Sequence, residues 1–149
     1  PVCASVKVLK AEADAAYRAG RVEAAVELYS SALALDPLNQ ACLSNRAACH
    51  LRLHQPALCL ADCDHLLVKL RSQQPLPHAA LVRALVRRGT AYSHLEQLQQ
   101  ACADFEEALS LQPDNVDLAA DVRMLRQRLT SNQASSQGGP CEPIAPPHT

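Results

Sequence analysis

Residues 28–39, LYSSALALDPLN, and residues 104–115, DFEEALSLQPDN, are two copies of one pattern. Laid over each other, they set Tyr29 on Phe105, Ala32 on Ala108 and Pro37 on Pro113. The match continues backward: Ala25 meets Ala101, Leu9 meets Leu85, and Gly89 and Tyr92 take the places of Ala13 and Ala16. Apolar residues recur at helical spacing until a proline, which has no amide hydrogen to continue a helix. A further copy fits between the two, with Leu43, Arg46, Ala47, His50 and Cys59 in register, and the surplus residues fall in RSQQPLPH, residues 71–78.

The period of about 34 residues, with small residues where paired helices touch, is that of the tetratricopeptide repeat, a helix–turn–helix unit. Three repeats are expected, at about 6–39, 40–73 and 82–115. Their helices fall at about 5–18, 22–35, 40–53, 57–70, 79–94 and 98–111. A seventh helix is expected over 116–129, where Leu118, Val122, Leu125 and Leu129 form one stripe that caps the last repeat's apolar edge. The fold class is therefore all-α: three helix–turn–helix repeats plus a capping helix in a right-handed α-solenoid over residues 5–129, followed by a disordered tail over 130–149 rich in Pro, Ser and Gln.

Composition agrees. The chain is 48% hydrophobic but only 3% aromatic, and its apolar residues are mostly the strong helix formers Ala and Leu. No run approaches the roughly 18 apolar residues of a membrane span. A net charge of −1 gives no global positive field, so nucleic acid and membrane are not expected partners. The chain opens on Pro without a signal-peptide pattern, as a piece cut from a longer, non-secreted protein would. Seven cysteines, an odd number mostly inside the helical patterns, point to reduced thiols in the cytoplasm.

The charges are segregated by helix. The first helices of the repeats carry Lys7, Lys10, Arg18, Arg46, Arg52, Arg83, Arg87 and Arg88 against Glu12 and Asp14. The second helices carry Glu23, Glu27, Asp62, Asp64, Asp104, Glu106 and Glu107 against Lys69. Since first helices line the concave side of such an array, the near-neutral chain is expected to hide a basic groove suited to an acidic peptide.

The strings LSNRAACHLRL (43–53) and VRRGTAYSHLEQ (86–97) resemble those of chaperone-associated tetratricopeptide proteins, in particular the axonemal dynein assembly factors. The resemblance implies a cytoplasmic co-chaperone module in dynein arm assembly, with the acidic C-terminal peptide of heat-shock protein 90 or 70 as partner. The alternative is a scaffold that holds another assembly factor or a dynein subunit without reading a carboxylate. Chaperone-binding relatives use a clamp of Lys and Asn on the first helix, Asn on the third, and Lys and Arg on the fifth. By position these become Lys10, Asp14, Asn45, Arg83 and Arg87. Asp14 is the departure: it supplies an acceptor where the clamp uses an amide donor, and it is four residues from both Lys10 and Arg18, with either of which it can pair.

His50, His54, Cys59 and Cys63 carry spacings compatible with a tetrahedral zinc site. Cys59 and Cys63, however, hold the places of Ala25 and Tyr29, so packing is the expected role, with no metal or other cofactor. No phosphate-binding glycine loop, nucleophile elbow or convergent carboxylate pair is present, and no catalytic residues are expected.

Overall fold

A computed structural model describes residues 2–137. Its elements are α1 (Val2–Arg18), α2 (Val22–Leu35), α3 (Gln40–Arg52), α4 (Pro56–Arg71), α5 (His78–His94), α6 (Leu98–Leu111) and α7 (Val116–Gln137). Each helix packs on its neighbours in sequence, and α3 also meets α5. The result is an α-solenoid of three helix pairs closed by α7, with Leu118, Val122 and Leu125 buried against the last pair. The surplus residues form the loop between α4 and α5.

One expectation needs correction. The tail placed at 130–149 begins as helix, because α7 runs on to Gln137. The stretch TSNQASSQ has neither Pro nor Gly to stop it, and Ser135 and Ser136 donate to the carbonyls of Ser131 and Asn132 one turn back. Residues 131–136 are exposed, so this extension is a solvated helix end. Residues 138–149 lie outside the described residues.

The two quoted sequence copies end in Asn, and each Asn starts the next helix. Asn39 Oδ1 accepts from the Cys42 amide at 3.1 Å and Asn115 Oδ1 from the Leu118 amide at 3.1 Å. Both side chains also reach back, Asn39 to Asp36 and Asn115 to Gln112. One capping device thus launches α3 and α7.

The turn inside each repeat is also repeated in detail. Arg21, Gln55 and Gln97 donate their amides back to the carbonyls of Ala16, His50 and Tyr92, closing the preceding helix. The residue before each has positive φ: Gly20 at 81°, His54 at 56° and Glu96 at 57°. Only the first repeat places there the residue that adopts this conformation without steric cost. Glu96→Gly and His54→Gly are each expected to stabilise the domain by roughly 0.5–1 kcal/mol, the relief of the left-handed strain less the entropy glycine loses on folding. Urea unfolding of the two variants measures it, and a loss of stability in both contradicts the strain assignment.

Within a repeat the helices approach closely over small residues. Ala13, Ala25 and Ala32 do this in the first pair, Ala47 and Cys59 in the second, and Ala101 and Ala108 in the third, all fully buried. At Gly89 the approach is closest, since a Cβ there would lie 2.7 Å from the Phe105 ring and 3.3 Å from the Asp104 Cβ. Gly89→Ala is expected to cost about 1–3 kcal/mol through overpacking, despite alanine's better helix propensity. Phe105→Leu in the same chain should recover part of that loss in a denaturant titration.

Two partly buried guanidinium groups join successive repeats. Arg46 on α3 donates from Nε and Nη2 to Asp62 on α4, at 2.8 and 2.6 Å, and from Nη1 to Ser30 on α2, at 3.1 Å. Arg88 on α5 does the same with Asp104 on α6, at 2.8 and 2.7 Å, and with Asp64 on α4, at 2.9 Å. The partners correspond by repeat position: Asp62 with Asp104, and Ser30 with Asp64. Asp62 and Asp104 are buried, so removing either arginine would strand a carboxylate away from water at a cost of about 3–5 kcal/mol.

Candidate functional site

Helices α1, α3 and α5 bring Asp14, Asn45 and Arg87 to one cavity of about 280 Å³, which Tyr17, Arg18, Tyr29 and Ala48 complete. Lys10 joins through its neighbour one turn on, with Nζ 2.7 Å from Asp14 Oδ2. Asn45 Nδ2 donates to Asp14 Oδ1 at 3.2 Å, and the Tyr29 hydroxyl donates to the same oxygen in a short hydrogen bond. Of the two lysine or arginine partners open to Asp14 by spacing, it takes Lys10.

Arg87 is held from the side. Its Nη1 donates to the Ser44 carbonyl and hydroxyl at 2.9 and 2.8 Å, which fixes the guanidinium without neutralising it. Arg83 lies one turn earlier on α5. It lines an adjoining cavity with Ser44 and Asn45 and, with Arg87, a second one. Arg83 makes no hydrogen bond or ion pair with another described residue. Arg52 rests over the Tyr17 ring, 4.9 Å from its centroid. Four of the five expected site residues thus gather in or directly beside one cavity, and Arg83 lines the adjoining ones.

The expected basic face is thinner than the sequence indicated. Arg46 and Arg88 are spent on the buried pairs with Asp62 and Asp104, because their repeat position points between the paired helices and not into the groove. The carboxylates hold both guanidinium groups above the usual arginine range. Among the described residues, the first-helix cations left without a carboxylate partner are Lys7, Arg18, Arg52, Arg83 and Arg87, of which Arg18 and Arg87 line the cavity.

A tetratricopeptide repeat family model matches residues 82–115. The Arabidopsis OM64 TPR domain is similar at 30% identity over 86% of this chain and 99% of that one, with a TM-score of 0.74. The chain belongs to the tetratricopeptide repeat family. RNA polymerase II-associated protein 3 of Mus musculus is 31% identical over 88% of this chain and 19% of its own length. Dynein axonemal assembly factor 4 of Pongo pygmaeus is 31% identical over 76% of this chain and 27% of its own. The chain therefore spans about a fifth to a quarter of the curated relatives it matches. The first TPR of Spaghetti (RPAP3), solved bound to the HSP90 peptide SRMEEVD, is similar at 28% identity over 85% of this chain and 94% of that one, with a TM-score of 0.74.

In this tetratricopeptide domain two hydrogen-bond partners of the candidate site residues escaped the sequence reading. Tyr29 read as a packing residue through its match with Phe105, yet its one extra oxygen is what reaches Asp14. That Tyr-for-Phe difference was the available signal. Ser44, which orients Arg87, carried none, since serines at helix positions are common and its partner is 43 residues away.

Of the four candidate zinc ligands, His50, Cys59 and Cys63 are buried in the packing and His54 is exposed. His50 shares a hydrogen with Gln55 Oε1 at 3.0 Å and lies 3.6 Å from Asp62, while His54 occupies the positive-φ turn position. Cys59 and Cys63 are fully buried with sulfurs 3.9 Å apart, and the contact with Cys59 together with burial pushes the Cys63 thiol up. Burial likewise raises the Cys42 and Cys49 thiols.

Burial alone would raise the Asp14 carboxyl, but the hydrogen bonds from Lys10 and Tyr29, the Lys10 charge and the Asn45 amide outweigh it and hold it below the ordinary range. The same carboxylate, with burial, raises the Tyr29 phenol. Because Asp14 titrates lower folded than unfolded, its stabilisation is complete above about pH 4 and is lost as the pH falls through the folded value. The stability advantage of the wild type over Asp14→Asn is therefore expected to hold from neutral pH down to about pH 5 and to shrink progressively below that in urea titrations, and a difference that stays constant down to about pH 2 would refute the assignment.

Proposed function

We propose that this domain is the peptide-holding module of a cytoplasmic co-chaperone in axonemal dynein arm assembly. It receives the acidic C-terminal tail of heat-shock protein 90 or 70 in the concave groove and has no catalytic role. The observation that carries the reading is Arg87, fixed by Ser44 on the wall of a cavity shared with Asn45 while its charge stays unpaired. Arg83 adds a second guanidinium one turn away that has no partner among the described residues. The likeness to a domain solved with an HSP90 peptide and to an axonemal dynein assembly factor supports the partner and the setting. No helix among the described residues is long and apolar enough to cross a membrane.

A second reading is favoured by Asp14, whose carboxylate already takes donors from Lys10 and Asn45. In it the repeats hold another assembly factor or a dynein subunit, and no carboxylate enters the groove. Titration with the peptide Met-Glu-Glu-Val-Asp separates the two. Arg87→Ala is expected to weaken binding about tenfold or more, and Asp14→Asn, which removes a repulsion and frees Lys10, to tighten it roughly ten- to a hundredfold. Unchanged affinity in both variants would leave the scaffold reading standing.

A further inference from the structure

The groove contains two kinds of donor. Lys10, Tyr29 and Asn45 all point at Asp14, so a carboxylate belonging to the chain itself sits where those donors converge. Toward α5, by contrast, Arg87 meets only neutral oxygens of Ser44, and Arg83 meets no partner among the described residues. From these two facts we infer that the domain reads acidic side chains within a peptide, through Arg83 and Arg87, and not the free carboxylate at a chain end. The inference rests on the groove being the peptide site proposed above, and it adds that Asp14 decides which part of the peptide is recognised.

A terminal carboxylate entering beside Asp14 would form a second anion in one small site, and two carboxylates so close do not both stay ionised. Asp14 does stay ionised, since its partners hold it below the ordinary aspartate range. Asp14 thus opposes the chain end on the α1 and α3 side of the cavity at neutral pH, and leaves the cationic side at α5 to acidic side chains. Arg83 and Arg87 impose a different geometry. They are four residues apart on α5, which separates their Cβ atoms by about 6 Å along one helix face. In an extended peptide, side chains two residues apart share a face and are spaced by about 6.6 Å. Two guanidinium forks at that spacing match two carboxylates in the pattern acidic–any–acidic, each taken bidentately. The pattern can lie anywhere along a flexible acidic segment.

The test compares three peptides on the wild-type domain by calorimetry: Met-Glu-Glu-Val-Asp with a free terminus, the same peptide amidated, and an acetylated and amidated Gly-Ser-Glu-Val-Asp-Ser-Gly. All three should bind within about threefold of one another, and replacing Glu and Asp of the blocked peptide by Gln and Asn should weaken it by about tenfold or more. Arg83→Ala and Arg87→Ala should each weaken the blocked peptide by about tenfold, while Asp14→Asn should create a preference of about tenfold or more for the free terminus. A wild-type domain that already prefers the free terminus by tenfold overturns this inference and leaves the groove reading intact. So does a blocked peptide indifferent to both arginine variants, provided the free-terminus peptide binds. If none of the three peptides binds, both fall together.

Discussion

The stack depends on one side chain used twice. Arg46 and Arg88 each pair bidentately with the second helix of their own repeat and hydrogen-bond to the second helix of the repeat before. A planar guanidinium with five donors in fixed directions can bind three helices at once, which a lysine ammonium on a flexible stem does not do with comparable definition. The device also explains why the extra residues between α4 and α5 do no harm. Arg88 anchors α5 on Asp64 and Asp104 whatever the length of the loop, and α4 packs on α5 as directly as α2 packs on α3. In the first repeat Glu12 and Leu28 hold the corresponding places, so the device begins where there is a preceding repeat to join.

That use of arginine reshapes the groove. Of the positive side chains on the first helices, those at the buried repeat position serve the stack, and those one residue before or five before on α5 remain for a ligand. Arg87 and Arg88 are adjacent in sequence and opposite in purpose: the first is fixed by neutral oxygens and keeps its field, while the second is neutralised by two aspartates. The distinction lies in which helix face each occupies, since neighbouring residues on a helix diverge by about 100°.

Asp14 brings a further adjustment at the other end of the groove. A carboxylate where relatives of this kind use an amide is tolerated because three donors from three helices converge on it: Lys10 from α1, Tyr29 from α2 and Asn45 from α3. Those bonds tie the first repeat to the second on the groove side, in addition to the bond from Arg46 to Ser30. The residue that alters ligand selection therefore also contributes to the joint between repeats. In this domain, stability and specificity are coupled through one acceptor.

The periodic features were legible in the sequence because they are local or repeat in register. The helices follow from apolar spacing, the closeness of paired helices from Ala13, Ala47 and Gly89 at one repeat position, and the capping helix from its leucine stripe. The five candidate site residues came from the resemblance to chaperone-binding repeats, carried over by position. What tertiary structure alone decided was the pairing of charges. Sequence sorts a residue to a helix, but a carboxylate's partner is set by distances across helices: Arg46 with Asp62, Arg88 with Asp64 and Asp104, Tyr29 and Asn45 with Asp14. Helix α7 shows the same limit, since a polar stretch without Gly or Pro continues as helix or frays according to the packed helix that precedes it. Periodicity is a property of the chain, whereas an ion pair belongs to the space between elements, and only the folded arrangement fixes that space.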